Sequence, residues 1–177
     1  DSGSVRMQAM LELMVGLGCK VSFVADNLEY RQPYVRALQQ AGVEVWHHPF
    51  VASVEQLLQE RGGEYDLVLI CRHYIAAGYI DAVRKHAPRA RIVFDTVDLH
   101  YVREQRRLDL EVQLWKNLEF FLAEEADTTL VVSPYEKKML ADESFSDKVA
   151  VVSNIHSLEP CLKGFEERKG LMFIGSF

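Results

Sequence analysis

Asp66-Leu67-Val68-Leu69-Ile70 is an unbroken apolar run, and Arg91-Ile92-Val93-Phe94 repeats the pattern further along the chain. A short continuous apolar stretch bounded by turn residues reads as a strand buried on both faces, the habit of parallel strands covered by helices. Residues 75–86 between them carry helical spacing and are closed by Pro88. Strand, helix, strand is the unit that parallel pairing requires, because a tight turn cannot join parallel neighbours.

The same alternation continues outward from this unit. Toward the N-terminus, Gly62-Gly63 break a helix that Ser53 caps and that turns Val54, Leu57 and Leu58 inward. Residues 43–46 form the preceding strand. Gly42 ends a helix opened by Pro33, with Val35 and Leu38 inward, and residues 20–25 form the strand before it. Met7, Met10, Leu11, Met14 and Leu17 share one helical face, and Gly18 is the C-cap. Toward the C-terminus the longest helix covers residues 101–123, with Leu108, Val112, Trp115, Leu118 and Leu122 on one stripe. Residues 128–132 are a strand, Pro134 opens a helix at its first turn, and residues 149–152 are another strand. There is no internal repeat or low-complexity tract. The alternation predicts an α/β protein, a Rossmann-like doubly wound parallel sheet with helices on both faces. Such a unit opens with a strand, so a further strand is expected upstream of the first helix. Residues 170–177, an apolar run after the charged residues 166–169, read as a strand entering a glycine-containing loop. The expected division is one domain over residues 1–165, then a linker and the first strand of a second domain over 166–177.

The net charge of −6 and pI near 5.5 argue against a nucleic-acid surface, which needs clustered Lys and Arg. Arg103-Glu104-Gln105-Arg106-Arg107 is the best local candidate for a basic groove. Cys19, Cys71 and Cys161 are scattered and odd in number, so a disulfide framework is not expected and a cytoplasmic setting is the simpler one. No apolar run approaches the ~20 residues of a membrane span. No strongly basic amphipathic helix demands a membrane surface, so any contact with its inner face is expected to be peripheral. The opening Asp1-Ser2-Gly3-Ser4 reads as the start of a piece cut from a longer protein.

Open parallel sheets bind ligands beyond the carboxyl ends of their strands, so the loops there hold the candidate residues. Asp95-Thr96-Val97-Asp98-Leu99-His100 places two carboxylates and an imidazole after one strand. They suit hydrogen bonding or proton transfer near neutral pH, or else a capping Asp and a surface His at a helix junction. Arg103, a turn further on, suits either an anionic ligand or a solvated helix face. Cys71-Arg72-His73 follows the other strand. No second pair with zinc spacing accompanies it, and His47-His48 is isolated, so no metal site is expected. Arg72 and His73 are cleft candidates by position. Gly3, Ser4 and Arg6 lie at a helix N-terminus, where free N–H groups suit an anion, or where Ser4 simply caps a frayed end. Gly16-Leu17-Gly18 closes a helix instead of opening one, so it is no dinucleotide fingerprint. Ser133-Pro134-Tyr135-Glu136 reads as a helix cap. No nucleophile elbow, P-loop or His-Glu-x-x-His sequence is present.

Four stretches in order, DSGSVR (1–6) with KVSFVA (20–25), IVFDTVDLH (92–100), ADTTLVVSPYEK (126–137) and KVAVVSN (148–154) with residues 170–177, resemble the N-terminal half of retaining GT-B glycosyltransferases. The resemblance implies two Rossmann-like domains facing a cleft, the N-terminal one holding the acceptor and the C-terminal one a nucleotide-sugar. It implies sugar transfer to a hydroxyl of a glycan or lipid-linked acceptor, with no bound metal and no cofactor besides the donor. His100 or Asp98 would orient the reacting sugar, and main-chain N–H groups near Gly3 and Gly175 would stabilise the departing diphosphate. Arg72, His73, Arg103 and Asn154 would line the cleft with Ser4 and Arg6. Asp98 stands where the family often has a His, with His100 two positions on, and Ile155 follows Asn154 where the family usually has Gly. Two other readings stay open: a sugar-nucleotide 2-epimerase of similar architecture, and a non-catalytic glycosyltransferase-like binding module.

Overall fold

The computed structural model describes residues 2–99, 110–140 and 146–155. The elements run α1 (Ser2–Gly16), β1 (Ser22–Val24), α2 (Gln32–Gln40), β2 (Glu44–Trp46), α3 (Val54–Arg61), β3 (Leu67–Cys71), α4 (His73–His86), β4 (Arg91–Asp95), α5 (Leu110–Glu125), β5 (Thr128–Val131), α6 (Pro134–Leu140) and β6 (Val149–Val151). Single 3-10 turns precede β3 and β6. Every described strand pair is parallel. The protein is therefore α/β, with parallel strands flanked by helices, an architecture compatible with a Rossmann-like domain.

Local chemistry explains most element boundaries. At the end of α1, Gly18 N–H donates to Val15 O at 2.9 Å and Cys19 N–H to Met14 O at 3.0 Å. Gly18 sits at φ +86, the left-handed turn that glycine adopts without a side-chain clash. The same closure recurs after α2, where Gly42 takes φ +88 and Val43 N–H donates to Leu38 O at 3.0 Å. Val43 and Leu38 then pack in one apolar cluster, the contact that usually accompanies this motif. Ser53 caps α3 by accepting from Gln56 N–H at 3.0 Å. Gly62 follows α3 for a packing reason, since a β-carbon there would overlap the His86 carbonyl at the end of α4.

The strands fall into two hydrogen-bonded sheets, β1-β2 and β3-β4-β5-β6, where the sequence predicted one. Among the described residues no pairing joins β1 to β3. β3 is consequently an edge strand with Leu67 48% exposed, which corrects the expectation of burial on both faces. β4 fits that expectation better, because β3 and β5 flank it and Ile92, Phe94 and Asp95 are buried. Ile92 and Phe94 pack with Ile80 and Val83 of α4 and Leu122 of α5 in the main core. Leu99, Val131, Leu140 and Val149 form a second cluster, and α1, α2, β1 and β2 enclose a third.

The helix expected over 101–123 is described from Leu110 to Glu125; residues 101–109, and the strand expected over 170–177, lie outside the described residues. Among the described residues no helix is long and apolar enough to cross a membrane.

Candidate functional site

β3 and β4 end in register, Cys71 opposite Asp95, and each passes directly into a backbone conformation that side chains rarely adopt. Arg72 has φ 76 and Val97 φ 64. For a β-branched residue this is a true outlier, and each such residue costs of order 1–3 kcal/mol unless its surroundings hold it. The surroundings here do so. Arg72 N–H donates to Asp95 O at 2.9 Å. Val97 N–H donates to Asp95 Oδ1 at 3.2 Å. The Thr96 amide and hydroxyl both donate to Leu130 O at 3.1 Å.

The far end of the loop is gripped from α6. Ser133 Oγ accepts from Glu136 N–H at 3.2 Å, so the Ser133–Glu136 turn is the helix cap expected from its sequence. The Glu136 carboxylate also accepts from Val132 N–H at 2.9 Å and from Leu99 N–H at 3.2 Å. The cap thereby clamps the loop bearing Asp98, which is half-buried at the rim.

Beneath the loop, Asp95 is fully buried and pairs through Oδ2 with Nη1 of Arg6, itself 1% exposed. The remaining edge of the guanidinium donates to Val152 O from Nε at 3.2 Å and Nη2 at 3.0 Å. Arg6 thus fastens the first turns of α1, with Gly3 and Ser4, to the carboxyl ends of β4 and β6. Removing one partner of such a pair strands a buried charge. Cys71 Sγ lies 3.8 Å from Asp95 Oδ2. Burial first, and then the neighbouring carboxylate, push its thiol pKa far above the usual range, so it is a protonated packing group and no nucleophile.

His73 opens α4 and is buried. Its Nδ1 lies 3.7 Å from Glu119 Oε1 of α5, too long for a hydrogen bond, and its ring meets Trp115 edge-on at 4.9 Å.

Gly3, Ser4, Arg6, Arg72, His73, Asp98 and Asn154 are therefore placed by α1 and by the segments leaving β3, β4 and β6, with Asn154 exposed and Arg6 wholly interior. His100, Arg103 and Gly175 lie outside the described residues. Three participants escaped the sequence reading in their present roles. The sequence marks Asp95 as a rim carboxylate or a cap, and the structure instead buries it completely against Arg6; Glu136 is expected as part of a cap but not as a clamp. Nothing local singles out Glu119, whose burial depends on α5 docking over α4. Among the described residues no three His, Cys, Asp or Glu side chains are grouped to hold a metal ion.

The arrangement can present a rim carboxylate and exposed backbone on a rigid base, which suits hydrogen bonding to a polyhydroxyl or phosphate-bearing ligand. No protein-family model matches the chain, and no curated protein matches its sequence.

Proposed function

We propose that this chain is the acceptor-side half of a GT-B-type glycosyltransferase, acting in the cytoplasm on a nucleotide-sugar. The observation that carries the proposal is the locked loop from Asp95 to Leu99. The strained residues Arg72 and Val97, at adjacent strand ends, both donate to Asp95, and Leu130 and Glu136 hold Thr96 and Leu99, in the place where parallel sheets bind ligands.

In this reading the chemistry is a displacement at the anomeric carbon. The bond to the diphosphate breaks with its electron pair going to the leaving oxygen, and the acceptor hydroxyl oxygen forms the new bond and gives up its proton to the departing diphosphate. Asp98 and His100 orient the sugar. Backbone N–H groups of the first turn of α1, at Gly3 and Ser4, face the negative charge that develops on the leaving group. Arg6 acts as a positioning residue, because its guanidinium is spent on Asp95 and Val152. Arg72, His73 and Asn154 line the approach, with Arg103 and Gly175 expected to join them. A glycan or lipid-linked hydroxyl is the acceptor.

The test is nucleotide release by the full-length protein from a panel of nucleotide-sugars, with and without crude acceptor, beside Asp98→Asn and His100→Ala. Release from one donor, accelerated by acceptor and cut more than ~100-fold by either substitution (roughly 2.7 kcal/mol of barrier), supports the transferase. Acceptor-independent release points to an epimerase. A folded protein that turns over no donor sinks both enzyme readings.

A further inference from the structure

The loops leaving β1 and β2 carry a second feature that the strained site does not use. Tyr30 and His47 have ring centroids 4.8 Å apart, tilted by 56°. His47 and Phe50 meet edge-on at 5.1 Å. His47 is 9% exposed between two rings that face solvent, Tyr30 at 51% and Phe50 at 70%.

These rings are held in place by their backbone. His48 N–H donates to Leu28 O at 3.0 Å, joining the two loops, and Phe50 N–H donates to His47 O at 2.9 Å. Leu28, at the junction, takes φ 53, a third non-glycine residue in the left-handed region. His47 Nδ1–H donates to the His48 carbonyl at 2.7 Å, which fixes the imidazole plane. Val51, directly after Phe50, is 2% exposed and anchors the turn. Two large rings kept in water by a cross-linked, strained loop pair are a binding face in search of a flat partner.

The flanking charges select the partner. Asp26 and Glu29 lie on the Tyr30 loop, and Arg31, the cation beside them, is already paired with Glu29 at 2.8 Å. That loop sets two carboxylates, Asp26 and Glu29, against the single cation Arg31, a local charge that disfavours a phosphate or carboxylate ligand. Asp26 Oδ1 accepts from Tyr79 O–H at 2.6 Å, so this carboxylate is oriented for hydrogen bonding. An aromatic face on a loop that also carries the Asp26 and Glu29 carboxylates matches a neutral pyranose, whose apolar C–H face stacks on a ring while its hydroxyls meet polar groups.

We propose that Tyr30, His47 and Phe50 form a subsite for a neutral sugar ring. Calling that ring part of the acceptor rests on the transferase reading; sugar binding itself does not.

Saturation-transfer NMR on the full-length protein tests this with methyl β-glucoside, methyl α-mannoside, N-acetylglucosamine and cellobiose as probes. Inorganic phosphate and a short-chain fatty acid serve as the competing classes. The expected result is saturable transfer to the ring protons of at least one sugar, weakened ~10-fold or more by Phe50→Ala and by Tyr30→Ala. Phe50→Trp should retain it, and Leu114→Ala, on an exposed leucine of α5, should leave it unchanged. All four substitutions are at exposed positions, and thermal melts confirm that each variant is folded. The proposal is overturned if no sugar receives saturation, if neither aromatic substitution weakens it, or if only phosphate or the fatty acid binds. Sugar binding without turnover of any nucleotide-sugar keeps the platform and sinks the transferase; acceptor-dependent turnover indifferent to Phe50→Ala and Tyr30→Ala keeps the transferase and overturns the assignment of the platform to its acceptor.

Discussion

Arg6 and Asp95 are 89 positions apart in the chain, and their pairing is the residue-level fact on which the site depends. Arg6→Ala is expected to destabilise the protein by about 3–5 kcal/mol in a urea titration, because it leaves Asp95 charged and buried. Cys71 supplies a check on the same environment. Its protonated, shielded thiol should be modified by iodoacetamide far more slowly than exposed Cys19, as read by peptide mass mapping of the native protein. Asp127 gives a pH dependence. Its carboxylate accepts from Ile92 N–H at 2.7 Å and from Arg84 at 3.2 Å, and the backbone bond, then Arg84, lower its pKa below the ordinary value. A carboxylate whose folded pKa is depressed stabilises the fold above its unfolded pKa of about 4 and loses that contribution as pH falls through the folded value. Asp127→Asn should therefore lower stability at pH 7 and flatten the acid limb below about pH 5, measured as denaturation midpoint against pH. These side-chain partnerships were not legible in the sequence. The sequence marks Arg6 by its place at a helix N-terminus and Asp95 by its place at a strand end, but nothing local pairs residues so far apart.

Elements were far more legible, because their signals are local. Gly18 and Gly42 end helices by taking positive φ, and Ser53 and Ser133 begin them by accepting an amide proton. Each of those residues announces its role within a few positions. Strand environment is different. The run Leu67-Val68-Leu69-Ile70 looks the same whether one or two strands pair with it, so the sequence could not say that β3 stands at an edge. In β3, Arg72 N–H and Asp66 O point to β4. Successive residues alternate sides, so the Leu67 and Leu69 amides point the other way. In the 177-residue chain these two amides should exchange with deuterium faster than those of Val68 and Ile70. Equal protection of all four amides in the 177-residue chain would contradict the edge assignment.

At the scale of the molecule, the described residues form three apolar clusters packed around two parallel sheets, and two features stand on loops that leave the carboxyl ends of their strands. One is the strained loop after β4, pinned by Arg6, Leu130 and Glu136. The other is the aromatic group on the loops after β1 and β2. The sequence identified the first region because alternating strands and helices direct attention to strand ends, and DTVDLH was conspicuous there. It passed over the second because Tyr30, His47 and Phe50 are unremarkable in one dimension and meet only when β1 and β2 pair.

We propose that the edge bearing Asp98 acts on a nucleotide-sugar and that Glu136 serves it by holding the loop. The most direct measurement is steady-state nucleotide release by full-length protein with its best donor, comparing wild type, Asp98→Asn and Glu136→Gln. The account predicts a fall of more than ~100-fold in kcat for Asp98→Asn (roughly 2.7 kcal/mol). For Glu136→Gln it predicts a smaller loss, about 10-fold, in kcat with donor KM unchanged, because the clamp positions the loop without touching the donor. Full activity in both folded variants would contradict it.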